Sequence, residues 1–179
     1  MNRYSSLFLA ALFVAAVSVS AFAQAAPAQT ADPMSADLKA MYTRIKTNLT
    51  LMAEKMPEEN YSFKATADIR TFGQLVGHVA DSQAGACSVV NGEQKAVNAS
   101  SKTSKADLVA ALKESFAICD KAFDSLTDAK GAQMVTVGQR QRPRATILAG
   151  MVAHSNEEYG YMSVYLRLKG VVPPSSERR

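Results

Sequence analysis

Three side chains of this 179-residue chain could gather around one metal ion: His78, His154 and Glu158. The first two are its only histidines. His154 and Glu158 are four residues apart, and helical side chains at that spacing lie above one another on one face. At about 100° per residue, Met151, Glu158, Met162 and Tyr165 share one arc with His154, so Glu158 is expected to look inward. A carboxylate buried without a partner is costly or becomes neutral. A metal ion, His154, or a cation such as Lys46 or Arg167 is therefore expected beside it. Two imidazoles and one carboxylate around an open coordination position form a catalytic ligand set for zinc and suit other divalent metals. The plainer alternative is a pair of hydrogen-bonded core histidines, because a carboxylate at i+4 from a histidine is a common spacing.

Four amphipathic helices are expected to position these groups. From Ala36 to Met56, Leu38, Met41, Tyr42, Ile45, Leu49 and Met52 recur every three or four residues. Glu58 to Phe63 reads as a packed connector. Thr71 is a plausible N-cap for a second helix running to about Val90, stopped by Asn91-Gly92. Residues 93–105 are polar and read as a loop. Ser104 and Asp107 then open a third helix, with Leu108, Ala111, Leu112, Phe116, Cys119, Phe123 and Leu126 on its apolar face, ending near Thr127. Met134 to Val137 reads as a short extended segment. Pro143 suits the first turn of a fourth helix, which Gly170 and Pro173-Pro174 terminate after about Lys169. Four helices without sustained strands predict an all-α, four-helix up-and-down bundle. His78 then falls in the middle of the second helix and His154 in the first half of the fourth.

The N-terminus has Arg3, an apolar run from Leu7 to Val19, and Ser20-Ala21-Phe22-Ala23. That order matches the charged, apolar and small-residue regions of a signal peptide, and the run is short for a membrane span of about 20 residues. Residues 1–23 are thus expected to be removed on export. No stable membrane anchor is then expected, and a periplasmic or secreted location follows. Residues 24–33 read as a flexible lead-in, and 34–176 as the folded domain. The formal net charge is +4, with the basic residues scattered. Nucleic-acid binding wants a basic stripe or a recognisable motif, and the cluster Arg140-Gln-Arg142-Pro-Arg144 provides neither, so no nucleic-acid partner is expected.

Longer stretches carry a resemblance: Met56-Pro57-Glu58-Glu59, Tyr61-Ser62-Phe63, Arg70-Thr71-Phe72-Gly73-Gln74-Leu75, His78-Val79-Ala80-Asp81, and His154 through Ser176. Together they resemble the DinB-like superfamily of four-helix proteins, which includes YfiT-type metal hydrolases and metal-dependent thiol S-transferases. The resemblance spans nearly all of the chain after the signal segment. It implies a divalent metal, commonly nickel or zinc, held by three histidines, one on the second helix and two at i and i+4 on the fourth. Carried to this chain, His78 takes the first position, His154 the second and Glu158 the third. The Glu leaves a valid ligand set one negative charge richer, which makes a metal-bound water less acidic. Tyr161 stands where many members have a Gln, and Asp81, one turn from His78, could accept from its imidazole. The resemblance also implies a homodimer.

Cys87 and Cys119 fall on the second and third helices, side by side in such a bundle. Export favours a disulfide between them, with two small buried thiols as the rival reading. The expected function is a metal-dependent hydrolase or thiol S-transferase of unknown small-molecule substrate. Hydrolysis ranks first, because export separates the protein from cytosolic thiols. The alternative is a non-catalytic binding or structural bundle with a degenerate metal site.

Overall fold

The computed structural model describes residues 31–177. The signal segment expected over residues 1–23, and the lead-in as far as residue 30, lie outside the described residues. Four long helices pack as a bundle: α1 (Pro33–Lys55), α2 (Phe72–Asn91), α3 (Lys105–Asp124) and α5 (Arg144–Leu168). Between α3 and α5 come a single turn, α4 (Asp128–Gly131), and a hairpin of β1 (Met134–Val137) and β2 (Arg140–Pro143). The long helices end where local chemistry dictates. Thr71 closes a full capping box with Gln74, and Ser104 accepts from the Asp107 amide. Gly92 and Gly170 both take left-handed backbone with φ 72°, which a side chain would disfavour.

The all-α four-helix bundle is present, but the alternating up-and-down order expected for it is corrected: the helices run up, down, down, up, because the segment after α2 returns along that helix before α3 begins. Lys105 at the start of α3 donates to the carbonyls of Glu54 and Met56 at the end of α1, so α1 and α3 are antiparallel. Gly73 approaches Leu108 near one end of α2 and α3, while Cys87 meets Cys119 towards the other, so those two run parallel. Residues 92–104 make this order work by returning along the length of α2. Asp81 fastens that return, accepting from the amides of Ala99 (2.7 Å) and Ser100 (2.9 Å). Helix α5 is antiparallel to α2: Arg144 at its start bonds the Val90 carbonyl, and Tyr165 near its end bonds that of Arg70.

Leu49, Met52, Phe72, Phe116, Leu148 and Leu166 are fully buried between the four helices, each contributing about 1.5–3 kcal/mol. Met41, assigned to the apolar face of α1, lies on its flank and is 40% exposed. Two local readings are corrected. Helix α3 stops at Asp124, because Thr127 caps a separate turn by accepting from Lys130. Pro143 ends β2 and serves as the N-cap of α5, outside the helix. Strand β2 is additional to the expected elements: Arg140 and Arg142, noted above only as a basic cluster, lie in it opposite Val137 and Val135. Gly138 at φ 60° supplies the left-handed first loop residue that a tight hairpin requires.

Cys87 and Cys119 form a disulfide with their Cα atoms 4.9 Å apart. It joins the parallel helices α2 and α3 at positions 32 residues apart in the chain. Among the described residues no helix is long and apolar enough to cross a membrane.

Candidate metal centre

The site lies between α2 and α5, and several contacts fix these helices before any ligand is considered. Gly77, the residue before His78, lets the return segment touch α2. A Cβ there would stand 3.1 Å from the Ala99 carbonyl oxygen, closer than side chains normally tolerate. One and a half turns beyond His78, the buried Gln83 amide donates to the buried Ser155 hydroxyl, pinning α2 to α5. Each is the other's polar partner in the core, so the bond specifies register. Neither residue stood out in the sequence. A glutamine and a serine on apolar faces were the available signal.

This register brings His78, His154 and Glu158 together. The two Nε2 atoms are 3.1 Å apart, and Glu158 Oε1 lies 3.5 Å from that of His78 and 3.6 Å from that of His154. One donor atom from each residue falls within 4.8 Å of the other two. The imidazoles are partly exposed, while the Glu158 side chain retains only 7% of its accessibility. Oε1 is too far from either nitrogen for a good hydrogen bond, and Oε2 is buried without a partner, as is His154 Nδ1. The cations that could have answered Glu158 are engaged elsewhere. Lys46 pairs with Asp120 at 2.7 Å, and Arg167 donates to Ser176.

The donor triangle fits a metal. With bonds of about 2.0–2.1 Å, tetrahedral zinc separates neighbouring ligand atoms by about 3.4 Å, inside the observed range of 3.1–3.6 Å. Burial lowers the His78 pKa most, and the Arg70 charge lowers it further, against the opposing pull of Glu158. A neutral imidazole is the form that binds metal. Burial, then Glu158, raises the Tyr165 hydroxyl pKa, keeping it a proton donor to the Arg70 carbonyl at 2.6 Å.

Three clefts meet these residues: one of about 460 Å³ at His78, one of about 540 Å³ at His154, and one of about 620 Å³ at Glu158. All lie within the range of small-molecule sites. Asp81 does not hold His78, because its carboxylate is occupied by the Ala99 and Ser100 amides. Tyr161 is 53% exposed and donates to Glu157. Arg70, which entered only as part of a motif, lines two of the three clefts.

The DinB superfamily model matches residues 41–162, from α1 almost to the end of α5. The chain belongs to the DinB superfamily. Two solved structures share its fold. A DinB-like protein from Bacillus cereus superposes with a TM-score of 0.68 at 17% identity, covering 76% of this chain and 93% of that one. A DinB-like protein from Bacillus subtilis gives 0.63 at 17% identity, covering 80% and 99%. No curated protein matches the sequence significantly. Identity this low speaks for the DinB fold alone, so the chemistry of the centre rests on its own residues.

Proposed function

We propose that this DinB-superfamily chain is an exported metalloprotein whose His78, His154 and Glu158 hold one zinc or nickel ion and which acts on a small molecule, by hydrolysis or by thiol S-transfer. The observation that carries this reading is the Glu158 carboxylate, buried beside two imidazole nitrogens with Oε2 unpartnered. A divalent ion bound there supplies Lewis acidity for polarising a substrate or activating a water or thiol. The chain's own groups do the rest. Gln83 and Ser155 hold α2 against α5, and thereby hold His78 at its distance from His154. The clefts at the three ligands would admit a small molecule to the centre. Hydrolysis ranks ahead of transfer because export distances the chain from cytosolic thiols.

The test is zinc and nickel titration of the metal-free protein beside Glu158→His. Binding near one equivalent in the parent, preserved or strengthened in the variant, supports the site. Binding that appears only in the variant refutes it and favours a second reading. In that reading the bundle is metal-free and His78 hydrogen-bonds His154, as their 3.1 Å separation permits. It leaves Glu158 uncompensated. Export and self-association are checked on the same preparation. An N-terminus near Gln24 in the periplasmic fraction supports export, and sedimentation at twice the monomer mass supports a homodimer.

A further inference from the structure

We infer that the site takes a small organic anion, its charged group held by Arg70 and Lys102 and its apolar portion lying in the cleft beside Glu158. The inference deepens the metal reading above, which it needs only to place the reacting end of the ligand at the His78–His154–Glu158 triangle. Arg70 lines both the His78 cleft and the Glu158 cleft, so it stands where the two meet. Lys102 also lines the first of these. Among the described residues, neither side chain forms an ion pair. Two neighbouring acids could compete for them. Asp81 already accepts two backbone amides, and Asp68 lines the Glu158 cleft without pairing to Arg70.

Arg70 is held in place through its backbone. The buried Tyr165 donates to its carbonyl, and Thr71, which follows it, caps α2. The position is thus tied to both helices that carry the metal ligands, while the guanidinium stays free. Such a group binds carboxylate or phosphate in paired hydrogen bonds. The Glu158 cleft supplies the complementary apolar wall from Ile69, Leu75 and Val164. Ile69 and Val164 are 41% and 53% exposed, so their apolar surface is available to a ligand. A purely inorganic anion would leave that wall in water, and a neutral ligand would leave two cations unanswered beside it.

The experiment follows backbone amide shifts of the zinc-loaded protein during titration with hexanoate and with hexanamide, its neutral counterpart. Hexanoate is expected to move the amides of residues 69–75 and 158–165 and to bind at least tenfold more tightly than hexanamide. Arg70→Ala is expected to weaken hexanoate at least tenfold while retaining near one equivalent of zinc, in keeping with the loss of a charge-assisted bond. Lys102→Ala should weaken it less. Equal binding of the two probes overturns the inference. So does hexanoate binding that Arg70→Ala leaves unchanged, which would mean that the carboxylate sits on the zinc itself. Should the parent take up no zinc, the metal reading fails separately, and the same comparison on the metal-free protein decides the anion site.

Discussion

Replacing Glu158 by Gln is expected to move stability in opposite directions with and without metal. Glu158 is 5% exposed, with Oε1 3.5–3.6 Å from two imidazole nitrogens and no hydrogen-bond partner from the protein on Oε2, so without a metal ion its charge is unanswered. Glu158→Gln keeps the shape and removes the buried charge. An unsatisfied buried polar group costs about 1–3 kcal/mol, and more when charged. The amide remains imperfectly paired, so the net gain is set at roughly 1–2 kcal/mol. For a domain of about 150 residues this raises the melting temperature by about 2–8 °C. With metal the sign reverses. A hundredfold loss of zinc affinity removes about 2.7 kcal/mol of ligand-linked stabilisation at saturating zinc. Thermal unfolding followed by circular dichroism, in chelator and in excess zinc, reads both effects. A variant less stable than its parent in chelator, with an unchanged gain from zinc, would refute the reasoning. Glu158 would then have a partner within the protein.

Reducing the Cys87–Cys119 disulfide, which spans 32 residues, is expected to cost about 3.5–4 kcal/mol from loop-closure entropy. Urea unfolding with and without reductant checks this, and a loss below about 1 kcal/mol contradicts it. Zinc affinity should stay level through neutral pH and fall at acid pH. Because the His78 pKa is lowered, its neutral form is favoured by folding. That contribution is present above the unfolded value of about 6.5 and is lost as pH falls through the lower folded value. Competition titrations from pH 8 to pH 5 test the sign, and an affinity that rises on acidification defeats it. Thr71→Ala removes the cap of α2 and should lower stability by about 1 kcal/mol, seen as a melting temperature lower by about 2–4 °C with zinc uptake preserved.

The helices were legible because their signals are local. Thr71 with Gln74, Ser104 with Asp107, and Gly92 and Gly170 mark ends through contacts within a few residues. The inward aim of Glu158 was legible for the same reason, since it follows from helical phase relative to Met162 and Tyr165, both buried. Helix direction was not. The parallel course of α2 and α3 depends on a polar segment fastened by Asp81 through its contacts with Ala99 and Ser100, residues far along the chain. Asp81 is one turn from His78, and that proximity suggested the wrong partner for it. Strand β2 escaped notice because Arg140-Gln141-Arg142-Pro143 has no apolar alternation, and its pairing with β1 is what makes it a strand. Gln83, Ser155 and Arg70 owe their importance to the meeting of α2, α5 and the connector, which no spacing in one segment encodes.

The central claim is that the His78, His154 and Glu158 donor atoms share one divalent ion. It is tested most directly by elemental mass spectrometry of the untagged protein beside His78→Ala and Glu158→Ala. Near one equivalent of metal is expected in the parent, and its loss in both variants. Parent protein that is isolated metal-free and then fails to take up zinc or nickel would contradict it.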